Sequence, residues 1–341
     1  MKGTAVILAA GHGVRMRSAL PKVLHPLVGV PLIRYPLKAV GEATGETPVV
    51  VVGHGADAVR YELGDEARFA VQEQQLGTAH AVLSAEAQLA GRGDLVLVTS
   101  ADLPLLTTAT FRRLLAAQAE NTGPLTMVTI ISPDPRGFGR ILRAEDGSVT
   151  AIIEEAQATP EQRAIRELNV GAYCFRSDWL WPALRRVKIS PKGEYYLTDL
   201  IGLAVGDGQY VQALTLEDPS ESIGINNRLH LSEAEAALRR RINEAWMLAG
   251  VTLIDPRATY IEAGVKIGED TTIYPGTHLR GHTEIGKGCH IGPNTILEDA
   301  RVGAGCTILS SVVEKTTLDD NIKIGPFAHI REDVVQTVPI H

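Results

Sequence analysis

The C-terminal quarter of this chain carries a regular six-residue spacing of aliphatic side chains. Between residues 261 and 297 an isoleucine or leucine stands at every sixth position, and after shifts in spacing the pattern continues to residue 330. Such a repeat predicts a parallel β-helix of about four coils, in which each hexapeptide forms one side of a triangular coil. The predicted inward-facing residues are Ile261, Ile267, Ile273, Leu279, Ile285, Ile291, Leu297, Val302, Ile308, Val312, Leu318, Ile324 and Ile330.

The positions between these aliphatic residues support the same prediction. Glycine often follows the aliphatic residue directly, as at Gly268 and Gly286, where we expect it to allow the corner of the coil. A core of stacked aliphatic side chains agrees with an aromatic content of only 5%. Small residues recur four positions after the aliphatic ones, at Val265, Thr271, Thr277, Thr283, Cys289, Thr295 and Cys306.

The cysteines and the apolar segments indicate a cellular compartment. Cys174, Cys289 and Cys306 are far apart and form no CxxC pair, which excludes a disulfide framework and a recognisable zinc module and fits a reducing cytosol. Packing inside the repeat explains Cys289 and Cys306 better than a nucleophilic role does. The sequence contains no targeting signal and no apolar stretch of membrane-spanning length, so we expect a cytoplasmic protein without a membrane partner.

The part of the chain before the repeat alternates short apolar runs with helix-like segments. Several runs are continuous in Val, Ile and Leu, which predicts strands buried on both faces of a mainly parallel sheet. Ligands of such α/β domains usually bind outside the carboxyl ends of the strands. The predicted strands are Ala5–Leu8, Val49–Val52, Leu95–Thr99, Leu125–Ile131, Val149–Ile153, Val170–Phe175 and Tyr210–Leu216, and helices are predicted at Ala79–Ala90 and Thr108–Gln118.

One long amphipathic pattern at residues 228–248 predicts a helix that links two domains. The run Arg239–Arg241 could form a nucleic-acid patch, but a solvated helix face explains it better. The formal net charge of −7 also gives no sign of a nucleic-acid partner. We therefore predict an α/β domain at residues 1–227, a linker helix at 228–250 and a β-helix at 251–341.

A glycine-rich motif with two basic residues provides the strongest sign of chemistry. Leu8-Ala-Ala-Gly-His-Gly-Val-Arg-Met16 follows the first predicted strand, and Leu20-Pro-Lys22 comes shortly after it. Glycines at this place let backbone N–H groups approach phosphate oxygens, while Arg15 and Lys22 add positive charge. The motif is neither a Walker loop nor the dinucleotide fingerprint, because Met16 stands at the third glycine position.

These residues resemble the signature of the sugar-1-phosphate nucleotidyltransferases. Pro21-Lys-Val-Leu-His25 points, within that superfamily, to the N-acetylglucosamine-1-phosphate uridylyltransferases. The resemblance implies a Rossmann-like nucleotide-diphospho-sugar transferase domain, a linker helix and a short left-handed β-helix. Further matching segments, in the family's order, are Gln72, Gln75–Thr78, Asp102–Leu105, Gly137–Arg140, Glu154, Asn169, Glu194–Asp199 and Gly224–Arg228.

The resemblance also implies a reaction and a set of site residues. A Mg²⁺-dependent in-line attack on the α-phosphate of UTP by N-acetylglucosamine-1-phosphate would give UDP-N-acetylglucosamine and pyrophosphate. Arg15 and Lys22 would be the catalytic cations, and Asp102 and Asn226 would hold the metal. The implied nucleotide-binding residues are Leu8, Ala9, Ala10, Gly11, Gly13, Arg15, Lys22, Gln72, Gln75, Gly77 and Thr78. The implied sugar-binding residues are Asp102, Gly139, Glu154, Asn169 and Asn226, with Thr78 at the same pocket.

Alternatives remain open at this point. Ala156-Gln157 and Val170 depart from the family pattern beside the sugar pocket, so another sugar or base, such as glucose-1-phosphate, stays possible. A hexapeptide acyltransferase and an inactive sugar-nucleotide sensor are further alternatives. The repeats stop near Arg331, so the sequence predicts no acetyltransferase activity. The flat sides of the predicted β-helix, by resemblance, lead us to expect a homotrimer.

Overall fold

The computed structural model of this protein describes residues 1–331 and 334–337. The chain divides into two compact units, the first made of residues 1–25 and 31–231, and the second of residues 26–30 with those from 232 onward. The predicted functional domains at 1–227, 228–250 and 251–341 stay a prediction, and the last residue of the third lies outside the described residues. Within the described residues, no helix is both long and apolar enough to cross a membrane.

A nine-stranded mixed sheet forms the centre of the first unit. It contains every strand up to residue 215 except β2 and β3. In chain order these strands are β1 (Gly3–Leu8), β2 (Pro26–Leu27), β3 (Val30–Pro31), β4 (Val49–Val52), β5 (Arg68–Val71), β6 (Leu95–Ser100), β7 (Leu125–Ile131), β8 (Arg140–Arg143), β9 (Val149–Ile153), β10 (Glu167–Arg176) and β11 (Val211–Thr215).

The main path of this sheet runs in the order β11-β7-β10-β6-β1-β4-β5, and β8 and β9 form a hairpin attached to β10. Strands β6, β1, β4 and β5 are parallel neighbours, whereas β10 is antiparallel to both β6 and β7. All four residues of β4 are buried, as the continuous Val run predicts. The sequence analysis predicted neither β5 nor β8, whose apolar runs are only three and two residues long and in each case follow an arginine.

Helices cover the sheet and connect its strands. The helix predicted at Ala79–Ala90 is divided in two near Ser84, whose hydroxyl donates to the carbonyl of His80 at 3.0 Å. A side-chain bond of this kind competes with regular helix geometry and often bends a helix. The helices are α1 (Arg34–Thr44), α2 (Ala56–Leu63), α3 (Thr78–Leu83), α4 (Glu86–Leu89), α5 (Thr108–Glu120), α6 (Pro160–Arg163), α7 (Ser177–Leu184), α8 (Asp199–Gly206) and α9 (Arg228–Leu248).

Short strands of two to four residues make up the second unit after α9. They form three sheets of parallel neighbours, β12-β15-β18-β21-β24, β13-β16-β19-β22-β25 and β14-β17-β20-β23, consistent with a hexapeptide left-handed β-helix. β26 pairs antiparallel with β25. The strands are β12 (Thr252–Leu253), β13 (Thr259–Ile261), β14 (Lys266–Ile267), β15 (Thr272–Ile273), β16 (Thr277–Arg280), β17 (Glu284–Ile285), β18 (His290–Ile291), β19 (Ile296–Glu298), β20 (Arg301–Val302), β21 (Thr307–Ile308), β22 (Val312–Glu314), β23 (Thr317–Leu318), β24 (Lys323–Ile324), β25 (Ala328–Arg331) and β26 (Val334–Thr337).

The stacking register corrects one residue of the predicted core. Leu297 pairs with Val313, which is completely buried, so the prediction of Val312 as the inward residue was wrong. The inward residues Ile308, Val313 and Leu318 are five positions apart, whereas the predicted spacing was four and then six. The predicted small positions are buried, including Cys289 and Cys306, whose thiols are free.

The glycines that follow the aliphatic residues have a different reason from the one expected. A Cβ on Gly268 would lie 2.6 Å from the backbone nitrogen of Lys287, and one on Gly286 would lie 2.7 Å from that of Ala304. Their backbones lie outside the left-handed region. Close approach of the next coil, rather than a special turn conformation, therefore requires glycine here.

The buried stack predicts a position-dependent loss of stability. Ile291 is 0% exposed, so Ile291→Ala should lower the free energy of unfolding by about 2–5 kcal/mol through lost burial and a cavity. Ile254 is 55% exposed, and Ile254→Ala should change it by less than about 0.5 kcal/mol. Urea denaturation followed by circular dichroism measures both variants, and equal losses would contradict the described stacking.

Candidate active site

Four parallel strands end side by side at one edge of the large sheet. In the ladder, Leu8 of β1 pairs with Val51 and with Ser100, and the ends of β4 and β5 are likewise in register. The loops after these strands contain the glycine-rich motif, His54, Gln72 and Asp102. Parallel pairing therefore gathers at one edge residues that are widely separated in the sequence.

A cleft of about 610 Å³ opens at this edge. Its lining also includes Ser100, Tyr173, Tyr196 and Thr198, to which the sequence assigned no role. Gly13, Arg15, Gly139 and Asn226 do not line it, although Gly13 lies against Lys22 and Gly139 accepts a hydrogen bond from Asn169, both of which do. The predicted site residues that line the cleft are Leu8, Ala9, Ala10, Gly11, Lys22, Gln72, Gln75, Gly77, Thr78, Asp102, Glu154 and Asn169.

Two cationic side chains of the glycine-rich segment bind the two oxygen donors proposed for a metal. Lys22 Nζ lies 2.5 Å from Asp102 Oδ2, and both side chains are mostly buried. Arg15 Nη2 donates to Asn226 Oδ1 at 2.8 Å. The backbone N–H of Ile225 donates to the carbonyl of Asp102 at 2.8 Å and so holds Asn226 beside it. A carboxylate, an amide oxygen and two cations thus form one cluster.

The donor set of this cluster fits a hard divalent cation. A carboxylate and an amide oxygen are ligands that Mg²⁺ accepts, usually together with waters and substrate phosphates. In this structure Lys22 and Arg15 contact the same two oxygens, so both oxygens already face a positively charged group. The residues Asp102 and Asn226 are therefore chemically suited to hold Mg²⁺.

Gly13 has to be glycine for the motif to fold over Lys22. Its backbone is left-handed, with φ of +61°, and a Cβ there would lie 2.6 Å from the Cβ of Lys22. The residues that follow form a short 3₁₀ turn, Val14–Met16, which includes Arg15. The second glycine of the motif thus allows the two cations to approach the same place.

Gln72 and the loop after it form another wall of the cleft. The Gln72 side chain is almost fully buried, and its Nε2 donates to the carbonyl of Gly77 at 3.0 Å. The same nitrogen lies 3.0 Å from Nδ1 of His80, on the first turns of α3. His80 gives no sign of a role in the sequence, because a single histidine within a helix carries no recognisable signal.

The loop around Gly77 is held by the segment at residues 195–197. Tyr195 donates its N–H to the carbonyl of Leu76 at 2.8 Å and accepts from Ala79 at 2.9 Å, while Leu197 donates to the Thr78 hydroxyl at 2.9 Å. Gly77 has φ of +103°, and a Cβ there would lie 2.5 Å from the carbonyl oxygen of Tyr195. These contacts make the loop and the segment one rigid wall.

The hairpin β8–β9 brings three of the five predicted sugar-binding residues together, whereas Asp102 and Asn226 belong to the cluster with Lys22 and Arg15. Gly139 precedes the hairpin and Glu154 follows it, while the Asn169 N–H donates to the carbonyl of Gly139 at 2.9 Å. Glu154 Oε1 accepts from the Thr198 hydroxyl at 3.0 Å. Asn169 Nδ2 donates to the Tyr173 hydroxyl at 2.7 Å. The pocket therefore combines a carboxylate and an amide, each oriented by a hydroxyl.

Burial changes the proton affinity of this pocket. Desolvation raises the pKa of Glu154 above its ordinary value, more than the Thr198 hydroxyl lowers it, and the nearby Asp199 carboxylate raises it further. Burial likewise raises the pKa of the Tyr173 phenol, which therefore stays protonated. Thr198 belongs to a segment that already carried the family resemblance, whereas Tyr173 lies in an apolar strand and gave no separate signal.

Known proteins resemble the chain over nearly its whole length. Residues 5–188 match the MobA-like NTP transferase domain, and residues 264–299 match the bacterial transferase hexapeptide family of six repeats. The bifunctional protein GlmU of Halalkalibacterium halodurans is 44% identical over 96% of this chain and 72% of its own. GlmU of Heliobacterium modesticaldum is 45% identical over 97% of this chain and 72% of its own length. GlmU of Shouchella clausii is 43% identical over 98% of this chain and 75% of its own length.

Gly77 and Gly202 offer a matched pair of substitutions. Gly77→Ala should destabilise the protein by about 1–3 kcal/mol, because alanine is strained at its positive φ and its methyl group meets Tyr195. Gly202 lies exposed in α8 with open space around it, so Gly202→Ala should be neutral or stabilising by up to about 1 kcal/mol. Thermal denaturation measures both, and an equal response at the two positions would disprove the described packing.

Proposed function

The chain belongs to the GlmU uridylyltransferase family, and from this premise we propose that it transfers UMP from UTP to N-acetylglucosamine-1-phosphate. The products are UDP-N-acetylglucosamine and pyrophosphate. The observation that carries the proposal is the cluster of Lys22, Asp102, Arg15 and Asn226 at the carboxyl edge of the sheet. A polyphosphate and a divalent cation together complement its two cations and two oxygen donors.

The proposed chemistry depends on position and charge rather than on covalent catalysis. The phosphate of the sugar is already ionised and attacks the α-phosphate of UTP in line, so no general base is needed. Arg15 and Lys22 contact the phosphates of UTP and stabilise the charge that moves onto pyrophosphate. Asp102 and Asn226 hold Mg²⁺, which when bound neutralises phosphate oxygens.

The proposal gives a role to the ion pair of Lys22 with Asp102 and to the hydrogen bond of Arg15 with Asn226. Lys22 and Asp102 satisfy each other at 2.5 Å, and Arg15 satisfies Asn226. In this proposal, phosphate oxygens of the nucleotide replace Asp102 and Asn226 as the partners of Lys22 and Arg15, and the oxygens of Asp102 and Asn226 would then be available to hold Mg²⁺. The two contacts therefore satisfy polar groups of the cleft that would otherwise be unpaired.

The remaining walls of the cleft supply recognition in this proposal. Gln72 and the Gly77 backbone contact the uracil base, with Gln75 beside them, and the backbone of Leu8–Gly11 approaches the nucleotide. Thr78, Gly139, Glu154 and Asn169 surround the sugar, where Glu154 accepts hydroxyl protons and Asn169 lies near the acetamido group. The hexapeptide repeats further support a homotrimer.

A substrate panel tests the reaction. With Mg²⁺, pyrophosphate release should be fastest for UTP with N-acetylglucosamine-1-phosphate, compared with ATP, GTP or CTP and with glucose-1-phosphate or glucosamine-1-phosphate. Asp102→Asn should lower kcat/KM at least about 100-fold, because a charged oxygen donor is lost. Asp178→Asn is the control, since that exposed carboxylate follows the end of β10 that pairs with the start of β6, at the opposite edge of the sheet.

Other outcomes of this panel have clear meanings. Preference for another base or sugar would contradict the proposed substrates, and full activity of Asp102→Asn would contradict the metal site. Acetyl-CoA turnover on glucosamine-1-phosphate without turnover of UTP would favour an acyltransferase instead.

The raised pKa of Glu154 predicts how sugar binding depends on pH. The ionised carboxylate accepts sugar hydroxyls, so affinity is present above the pKa and is lost as the pH falls through it. Because burial raises that pKa, KM for the sugar phosphate should begin to rise at a pH above the ordinary value of 4.5. Steady-state kinetics should show this rise in KM for the native enzyme but not for Glu154→Gln. The substrate phosphate titrates in the same way with both proteins, and only the native enzyme has the carboxyl group. Parallel profiles of the two proteins would contradict the prediction.

A further inference from the structure

The orientation of the Gln72 side-chain amide is determined by its neighbours. A backbone carbonyl can only accept a hydrogen bond, so the amide atom 3.0 Å from the Gly77 oxygen has to be the NH₂ group. The Gly77 carbonyl is itself fixed, because it also accepts from Ala81 at 3.1 Å as α3 begins. The contacts of Gly77 with Tyr195 prevent this loop from turning its carbonyl away.

His80 takes the second hydrogen of the same amide nitrogen. Nε2 of Gln72 lies 3.0 Å from Nδ1 of His80, and since that nitrogen donates, Nδ1 has to accept. The neutral ring therefore carries its proton on Nε2. With both amide hydrogens engaged, the carbonyl oxygen Oε1 is the atom left to meet a ligand. Within residues 1–331, no protein hydrogen bond to Oε1 is found.

We propose that His80 is a positioning residue that, together with the Gly77 carbonyl, sets the hydrogen-bonding polarity of Gln72 and thereby selects the base of the nucleotide. This inference rests on the proposed function, in which Gln72 faces the base of UTP. An acceptor at Oε1 matches a pyrimidine that presents a ring N–H, as uracil does at N3. Cytosine presents a lone pair at N3, so two acceptors would face each other.

The reverse orientation of the amide would select the opposite base. If NH₂ faced the ligand, it would satisfy the N3 lone pair of cytosine and oppose the N–H of uracil. A site built on buried polar groups discriminates strongly in this way, because the wrong base leaves a buried group unpaired. Two acceptors behind Gln72 exclude that reverse state, and His80 is the one of them that a substitution can remove.

The first test compares UTP with CTP. The ratio of their kcat/KM values should fall about 5- to 30-fold in His80→Leu, which removes the acceptor at Nδ1. His80→Asn should keep the ratio within about twofold, because its Oδ1 can accept at a similar place. KM for the sugar phosphate should stay unchanged in both variants. A general loss of structure would lower both nucleotides together, so an unchanged ratio in a folded His80→Leu would overturn the proposal.

A second measurement uses the native protein and does not depend on the folding of His80→Leu. Long-range ¹H–¹⁵N NMR of the histidine-labelled protein should show the proton of the neutral His80 ring on Nε2, with the resonances assigned by their loss in His80→Asn. A proton on Nδ1 would overturn the proposal. If the native protein turns over UTP but fails either test, only the role of His80 is wrong. If it turns over no UTP with any sugar phosphate, the proposed function fails as well.

Discussion

The parallel pairing of β1 with β4 and β6 is the constraint on which the candidate site depends. In a parallel ladder the strands end at the same edge, and the register places Leu8 beside both Val51 and Ser100. The loops that follow these strands therefore begin next to one another. Antiparallel β10 then enters from the opposite direction, so the beginning of that strand, with Asn169, reaches the edge where β6 ends. One sheet edge thus receives the phosphate, metal, base and sugar residues of the proposal.

Glycine decides how closely these loops can approach each other. Gly13 lets the motif cover Lys22, and Gly77 lets its loop cross the backbone of Tyr195. The second crossing has a wider effect, because the segment that begins at Tyr195 also contains Thr198, which orients Glu154. The wall formed by Gln72 and the Gly77 loop and the pocket around Glu154 are therefore parts of one hydrogen-bonded structure. The same principle holds in the β-helix, where Gly286 permits the next coil to stack.

Polar groups of the cleft form hydrogen bonds and an ion pair with one another. Lys22 pairs with Asp102, Arg15 with Asn226, and Gln72 with Gly77 and His80. In the first two pairs a ligand can replace the partner, because flexible Lys and Arg side chains donate to side-chain oxygens. In the third the acceptors belong to a rigid turn and helix, so the amide keeps its direction. Exchangeable pairs suit phosphate and metal binding, and a fixed amide suits discrimination between bases.

The sequence by itself determined the fold class and most of the cleft. The period of six predicted the stacked core, the continuous Val run of β4 predicted a strand buried on both faces, and the glycine-rich motif led to Arg15, Lys22 and, by resemblance, Asp102. Only the tertiary structure decided the contacts that cross the sequence. These contacts depend on strand register and on residues that lie apart in the chain. They set the antiparallel direction of β10, the inward position of Val313, the orientation of Glu154 by Thr198 and the contact of His80 with Gln72 from which its role is proposed. Periodicity and motifs depend on residues that are close in the sequence. The direction of these hydrogen bonds is fixed only when segments far apart in the sequence pack against each other.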